Sequence, residues 1–401
     1  MNSVVRQMWE QNTDVVMVDT GNSYEGLCEY VGGKYISYTD EHPITMNPFA
    51  IKREELNIEK IGFLKNLVML IWKGTQGEVT KTEDRLIEQV ITEYFDEYFM
   101  KKQIENLSFN TFYEYSTVRI PQIIKENNLA GIDLASYNYL LKDFYKGGSH
   151  ELTLNENLDT KLFDETFIVF EIDSIKDDPL LFPLVTLIIM DVFIQKMRIK
   201  KNRKVLVIEE AWKAIASPMM AEYIKYLYKT ARKFWASVGV VTQEIQDIVG
   251  SPIVKEAIIN NSDVVMLLDQ SKFRERFDEI KAILGLTDVD CKKIFTINRL
   301  ENKEGRSFFR EVFIRRGSVG GVFGVEEPHE CYMTYTTERA EKEALKLYKK
   351  ELQCDHQHAI EAYCRDWELS GITKSLPFAQ EVNQTGHVLN LKPKRKFDEY
   401  M

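Results

Sequence analysis

The sequence has little of what would place it in a specialised class. Its five cysteines, an odd number without a paired framework in 401 residues, fit a reducing compartment better than a disulfide-stapled scaffold. Internal repeats and low-complexity segments are absent. Positive charge is in deficit: the net charge of -10 argues against a broadly cationic surface that coats nucleic acid. Any such contact would be local, for example through the tail KPKRK, Lys392 to Lys396. The amino-terminal MNSVVRQMWEQN carries charge inside its apolar pattern and is no signal peptide. The strongest apolar run, Pro179 to Met197, is broken by Asp191, and its uncharged part is too short to span a bilayer. It reads as a buried helix, so no intrinsic transmembrane segment is expected. What is present is an ordinary globular composition, 44% hydrophobic and 28% charged, with room for two or three substructures.

Strand-like and helix-like segments alternate along the chain. TDVVMVDTGNSY gives an apolar run closed by Asp19, Thr20 and Gly21, which suits a buried parallel strand. A second short strand is expected around Tyr35 to Tyr38. From Ile51 to about Asn157 the pattern turns helical, with Leu86, Val90, Ile91, Phe95 and Phe99 on one face. The strand rhythm resumes at TFIVFEID, Thr166 to Asp173, and continues through VLVIEE, ASVGVVTQ and SDVVMLLDQ. Strands alternating with helices at this spacing predict βαβ units and a mostly parallel sheet. Two further strands, SFFREVFIRRG and VGGVFGVEEPHECYMTYT, are expected next. One long charged helix from Glu338 to about Glu368 and a polar tail then close the chain.

The most informative segment is KVLVIEEAWKAI, Lys204 to Ile215, where an apolar β-branched run stops at two adjacent carboxylates, Glu209 and Glu210. Beyond the carboxyl end of a parallel strand, one carboxylate can hold Mg²⁺, directly or through water, since that hard cation prefers oxygen ligands. Its neighbour can orient a water for attack on a terminal phosphate. This is the Walker B arrangement, with Glu209 serving the metal and Glu210 the water. The same pair also fits the exposed start of a helix, where acidic groups suit the positive end. The company it keeps favours the first reading. Gln243 ends the next strand, where a polar side chain could sense the γ-phosphate. Arg232 and Lys233 end the intervening helix and could serve a neighbouring subunit's nucleotide, or simply suit the helix dipole. Asp19, at its own strand end, could approach the nucleotide or brace the adjacent turn.

The succession VLVIEEAWKAI, KTARKFWASVGVVTQEIQDI and IINNSDVVMLLDQ resembles the TraG-type conjugation ATPases, the energy subunits of type IV secretion systems. More distantly it resembles the FtsK and HerA motor proteins. VVMVDTGNSYEGLCEYVGGKYISY followed by MNPF, and GVFGVEEPHECYMTYTTERAEKEAL near the end, extend the likeness over nearly the whole chain in the right order. The resemblance implies a RecA-like fold: residues 1–50 as its first part, 51–157 as a helical insertion, 158–345 as its remainder, and 346–401 as a carboxy-terminal helix and tail. It also implies ATP and Mg²⁺ as cofactors, a homo-oligomer (a hexameric ring), and a cytoplasmic position against the inner membrane. Other secretion components would be partners, and DNA or protein the substrate. The family's acidic pair falls on Glu209 and Glu210, its glutamine on Gln243 and its Arg-Lys pair on Arg232 and Lys233. Glu209 stands where many relatives have Asp.

One element of that chemistry is missing. Nowhere does the sequence contain G-x-x-x-x-G-K-[ST], the loop whose backbone N–H groups cradle phosphates. VGGKYIS lacks the first glycine spacing, has Tyr35 in place of Ser or Thr, and runs into a strand, which offers no helix N-terminus to phosphate. In the family that loop lies immediately before a helix like NSVVRQMWEQ, so the chain reads as a fragment beginning just after it, with little ATPase activity alone. A non-hydrolysing α/β scaffold of the secretion assembly, and a DNA-pumping motor of the FtsK and HerA kind, are the alternatives. A zinc reading of Cys354, His356, His358 and Cys364 is disfavoured, because one continuous helix would scatter these side chains. Arg310, Arg315 and Arg316 fit alternating exposed strand positions as well as an interface role, and Asp173 carries the same ambiguity as Asp19.

Overall fold

A computed structural model describes residues 1–39, 41–102, 104, 106–156, 160–210, 218–242, 258–299 and 309–389. The chain divides into two compact units.

The larger unit comprises residues 11–21 and 34–261 and is built on a five-stranded sheet. Its strands are β1 (Thr13–Asp19), β2 (Lys34–Ser37), β3 (Phe167–Glu171), β4 (Arg203–Ile208) and β5 (Ala236–Val240), in the order β2-β3-β1-β4-β5. Every pairing is parallel. β1 and β3 are buried along their whole length, which is why their sequences are continuous apolar runs and not alternating ones. β5 differs. It is the last strand of the sheet and stays half-exposed from Val238 to Thr242, although Ala236 to Thr242 carries no charge and no proline.

The expected buried helix is Leu181–Ile199, and its interrupting charge has a structural cause. Asp191 accepts from Lys60 Nζ at 2.8 Å and from Gln195 Nε2 at 2.7 Å, and both members of the ion pair are buried. The lysine comes from the Ile58–Lys73 helix, so the charge ties two helices together. Between β2 and β3 the chain runs through the helices Ile58–Lys73, Lys81–Phe95, Phe109–Glu126, Leu134–Leu141 and Glu151–Asn155. Their aromatic side chains interlock around Phe49, whose ring lies 4.8 Å from Phe112 and 6.0 Å from Tyr94. Thr80 and Glu83 form a reciprocal cap at the start of the second helix, the S/T-x-x-E pattern visible in the sequence.

The smaller unit comprises residues 1–10, 22–33 and 262–401, with the description ending at residue 389. It holds the Asn2–Glu10 helix and a three-stranded antiparallel sheet of β6 (Val264–Leu267), β7 (Phe309–Arg316) and β8 (Val319–Glu326), ordered β6-β7-β8. Three expectations are corrected here. SDVVMLLDQ supplies an antiparallel strand, because a four-residue apolar run does not encode strand direction. HECYMTY continues as the helix His329–Tyr335 after Pro328, where a strand had been expected. The long closing helix is two: Arg339–Leu352 stops at Gln353, which takes a left-handed conformation at φ 48°, and His356–Ser370 restarts on an Asp355 side-chain cap.

Candidate functional site

All five strands of the larger unit run in one direction, so their carboxyl ends share an edge. The register there is set by backbone bonds. Asp19 is level with Glu171, and the Ile172 N–H donates to the Asp19 carbonyl at 3.0 Å. The Glu209 N–H donates to the Val18 carbonyl at 3.0 Å, which extends the β1–β4 register by one residue and puts Glu209 level with Asp19. The Val241 N–H donates to the Ile208 carbonyl at 2.9 Å, which carries the edge on to Thr242. Parallel neighbours stand about 4.8 Å apart, so Glu171, Asp19 and Glu209 form one row of carboxylates across three adjacent strand ends.

The environments along that row differ. Asp19 is fully buried and Glu171 nearly so. Glu171 is held by the Tyr35 hydroxyl at 3.3 Å and the Asp173 N–H at 2.8 Å. Within FIVFEID the conspicuous strand-end carboxylate is Asp173, whereas β3 stops at Glu171. Asp173 forms a surface ion pair with Lys176 at 2.8 Å. Glu209 and Glu210 are half-buried, so they reach solvent from the end of a buried strand. Glu210 has φ 50°, the left-handed region that a residue with a Cβ seldom occupies. The backbone therefore turns sharply after Glu209, and such strain concentrates at functional sites.

The donor set along this edge is oxygen only, which fits a hard divalent cation. No cluster of three or more His, Cys, Asp or Glu side chains arranged to hold a metal occurs among the described residues. A cation here would complete its shell with water and phosphate oxygens, as Mg²⁺ does. The Cys354 to Cys364 segment forms no metal cluster either; Cys354 lies in the break between helices and Cys364 is buried.

Arg232 and Lys233 occupy a short 3-10 turn before β5 and are exposed. They enter the sheet at its amino-terminal edge, about 15 Å along the strands from Glu209. The fold thus does not bring them to the carboxylates of their own chain. Gln243 lies outside the described residues; Thr242 is the last described residue before it. In the smaller unit, Arg315 donates to the Gly285 carbonyl at 2.9 Å and Arg310 to its neighbour Phe309 at 2.8 Å, while Arg316 is exposed.

A parallel sheet flanked by helices, with carboxylates along its carboxyl edge, defines a RecA-like architecture of the kind that binds ligands beyond the strand ends. The chain belongs to the TraG P-loop domain family, which it matches over residues 1–367. It is 22% identical to Protein TraC of Escherichia coli (strain K12) over 295 residues, covering 69% of this chain and 31% of that protein; it therefore spans about a third of the curated relative's length. Among solved structures, VirB4 of Thermoanaerobacter pseudethanolicus superposes with a TM-score of 0.58 at 19% identity, covering 82% of this chain and 85% of the other. The bacterial conjugative coupling protein TrwB gives 0.52 at 12% identity, covering 82% and 80%. TrwB is also known in complex with ADP and Mg²⁺, a structure that superposes at 0.50. No described helix is long and apolar enough to cross a membrane.

Proposed function

We propose that this chain is the ATPase portion of a conjugative transfer or type IV secretion motor, in which Mg²⁺-ATP hydrolysis drives substrate transfer or pilus assembly. The observation that carries this reading is the strand-end row Glu171, Asp19 and Glu209, followed at once by Glu210 in a left-handed turn. Family membership adds to it, and so does the ADP and Mg²⁺ found in TrwB.

In the assembled motor, Glu209 holds the Mg²⁺ shell through water and Asp19 faces the nucleotide from the neighbouring strand. Glu210, turned away from Glu209 by its backbone, takes a proton from the attacking water. Gln243 reads the state of the γ-phosphate. Arg232 and Lys233, displaced to the opposite edge, act on the nucleotide of the next subunit in a homohexameric ring, where a cation in trans is worth about 10³ to 10⁵ in rate. The ring works at the cytoplasmic face of the inner membrane with other secretion components, and passes DNA or protein.

The phosphates need a cradle, and these 401 residues hold no G-x-x-x-x-G-K-[ST]. The uncharged, half-exposed edge of β5 has the composition of an interior strand, and a further parallel strand there would end beside Thr242, about 10 Å from Glu209 with β5 between them. This chain alone is accordingly expected to bind ATP weakly and turn it over negligibly. The deciding experiment sequences the DNA upstream of the Met1 codon and assays the longest in-frame product. An upstream Gly-rich loop ending in Gly-Lys-Ser/Thr, with turnover lost in Glu210→Gln but ATP binding kept, supports the motor. Saturable ATP binding and Mg²⁺-dependent turnover by the 401-residue chain would refute the missing-cradle reading. Unrelated upstream sequence favours a non-hydrolysing scaffold, the reading that the absent motif itself supports.

A further inference from the structure

The amino-terminal edge of the parallel sheet carries an aromatic and several cations that the chemistry above leaves unused. β4 is entered through Lys201, Asn202 and Arg203, and β5 through Trp235. Thr13 is level with Arg203, and Lys204 with Ala236. The Lys204 N–H donates to the Trp235 carbonyl at 3.0 Å. This register gathers Gln11, Asn12, Lys201, Asn202, Arg203 and Trp235 around one open cavity of about 450 Å³.

Two features of Trp235 run against stability. Its side chain is 70% exposed, and its backbone is left-handed at φ 55° and ψ 37°, which is strained for a bulky residue. Core packing does not account for an indole held in that way. Around it the charge is one-sided, although the whole chain is acidic. Lys201 and Arg203 are exposed, and their side chains make no hydrogen bond or ion pair among the described residues. The local acid, Asp14, is already engaged by Lys196 at 2.9 Å and by Asn202 Nδ2 at 2.6 Å. Lys200 is paired with Asp164 at 2.6 Å. Beneath the surface Lys204 Nζ donates to the carbonyls of Asn202 and Phe234, adding positive character from below.

We propose that this edge binds single-stranded nucleic acid, one nucleotide unit filling the cavity with its base on Trp235 and its phosphate between Lys201 and Arg203. Every base offers a face that stacks on an aromatic side chain, and a cationic rim follows the backbone. The amides of Gln11 and Asn12 are free to meet base edges or sugar. A cavity of this size suits a single nucleotide. An acidic peptide would satisfy the cations, but it gives no reason for a strained, exposed indole. The site lies on the sheet edge opposite Glu209, the edge that also carries Arg232 and Lys233, and its test needs no ATP.

The test is fluorescence anisotropy of a labelled 20-residue oligo-dT with the 401-residue chain, without ATP, at 50 mM and 200 mM salt. Trp235→Asn keeps a residue tolerant of the left-handed backbone, so the fold survives, which circular dichroism verifies. It is expected to weaken binding about ten- to a hundred-fold at both salt concentrations, the contribution of one stacked base. Lys201→Gln with Arg203→Gln is expected to lower the slope of log K against log salt by about 0.7, one phosphate contact's worth. No binding, or binding unaltered by Trp235→Asn, overturns the proposal. Competition by dTMP at equal total nucleotide would reassign the site to free nucleotides. Displacement by a poly-glutamate peptide, with no dependence on Trp235, would reassign it to an acidic protein.

Discussion

Glu209 and Asp19 stand level at the ends of neighbouring parallel strands, fixed there by the 3.0 Å bond from the Glu209 N–H to the Val18 carbonyl. One is half-buried and the other fully buried. In a hydrolysis-competent assembly, Glu209→Ala is expected to raise the Mg²⁺ concentration needed for turnover, which a metal titration of the ATPase rate measures. An unchanged Mg²⁺ requirement would detach Glu209 from the metal.

Glu210 has φ 50°, a conformation that glycine occupies without penalty. Glu210→Gly should therefore stabilise the fold by about 0.5–1 kcal/mol in urea denaturation. The same variant should abolish hydrolysis. Stability and activity moving in opposite directions would identify the strain as retained for chemistry; a destabilised variant would mean that the Glu210 side chain makes contacts the fold needs.

Lys196 is fully buried, lies 2.9 Å from Asp14 and donates to the carbonyls of Phe163 at 2.9 Å and Glu165 at 2.5 Å. Its three N–H groups are thus all used. Lys196→Met leaves the Asp14 carboxylate buried without its cation and should cost about 3–5 kcal/mol, read from the urea midpoint. The double variant with Asp14→Leu should recover part of that loss; no recovery would show that the carbonyl bonds dominate.

Burial pushes the Glu83 carboxyl up, but the Lys73 ammonium at 2.5 Å and the Thr80 N–H and hydroxyl outweigh it and hold its pKa below the usual 4.5. A depressed folded pKa contributes stability that is present above about pH 4.5 and lost as pH falls through the lower folded value. The stability gap between the native chain and Glu83→Gln should therefore narrow as pH is lowered from 7 towards 3. A gap independent of pH would assign the effect to lost capping geometry alone.

Cys28 and Cys364 are buried, and Cys291, Cys331 and Cys354 are partly exposed. Burial raises the pKa of the Cys364, Cys331 and Cys291 thiols, which lowers their thiolate fraction. Mild iodoacetamide treatment of the native chain should label Cys354 first and leave Cys364 unmodified, as peptide mass mapping would report.

Much of the fold was legible because the parallel strands are buried on both faces. VVMV, FIVF and VLVI admit few other readings, and Leu181–Ile199 showed its burial through near-continuous apolarity. Asp191 could be seen as an interruption, but its partner Lys60 lies 131 residues away, beyond any local pattern. Strand ends were harder. β3 stops at Glu171, two residues before the carboxylate that the sequence made conspicuous, so a member of the row went unnoticed. The direction of β6 depends on which strand it meets. The break at Gln353 lacked the glycine that usually marks a left-handed helix end; only Asp355, an ordinary helix-starting residue, hinted at it.

The five-stranded sheet also implies a fragility of a particular kind. Side-chain direction in a strand alternates with a period of two, so sliding β4 by a single position against β1 would turn Ile208 to the side that Glu209 now faces and hide the acid among hydrocarbon. Deleting one residue from the loop ahead of β4 would be more harmful than its distance from the chemistry implies: the molecule could keep its shape while its working groups faced the wrong way.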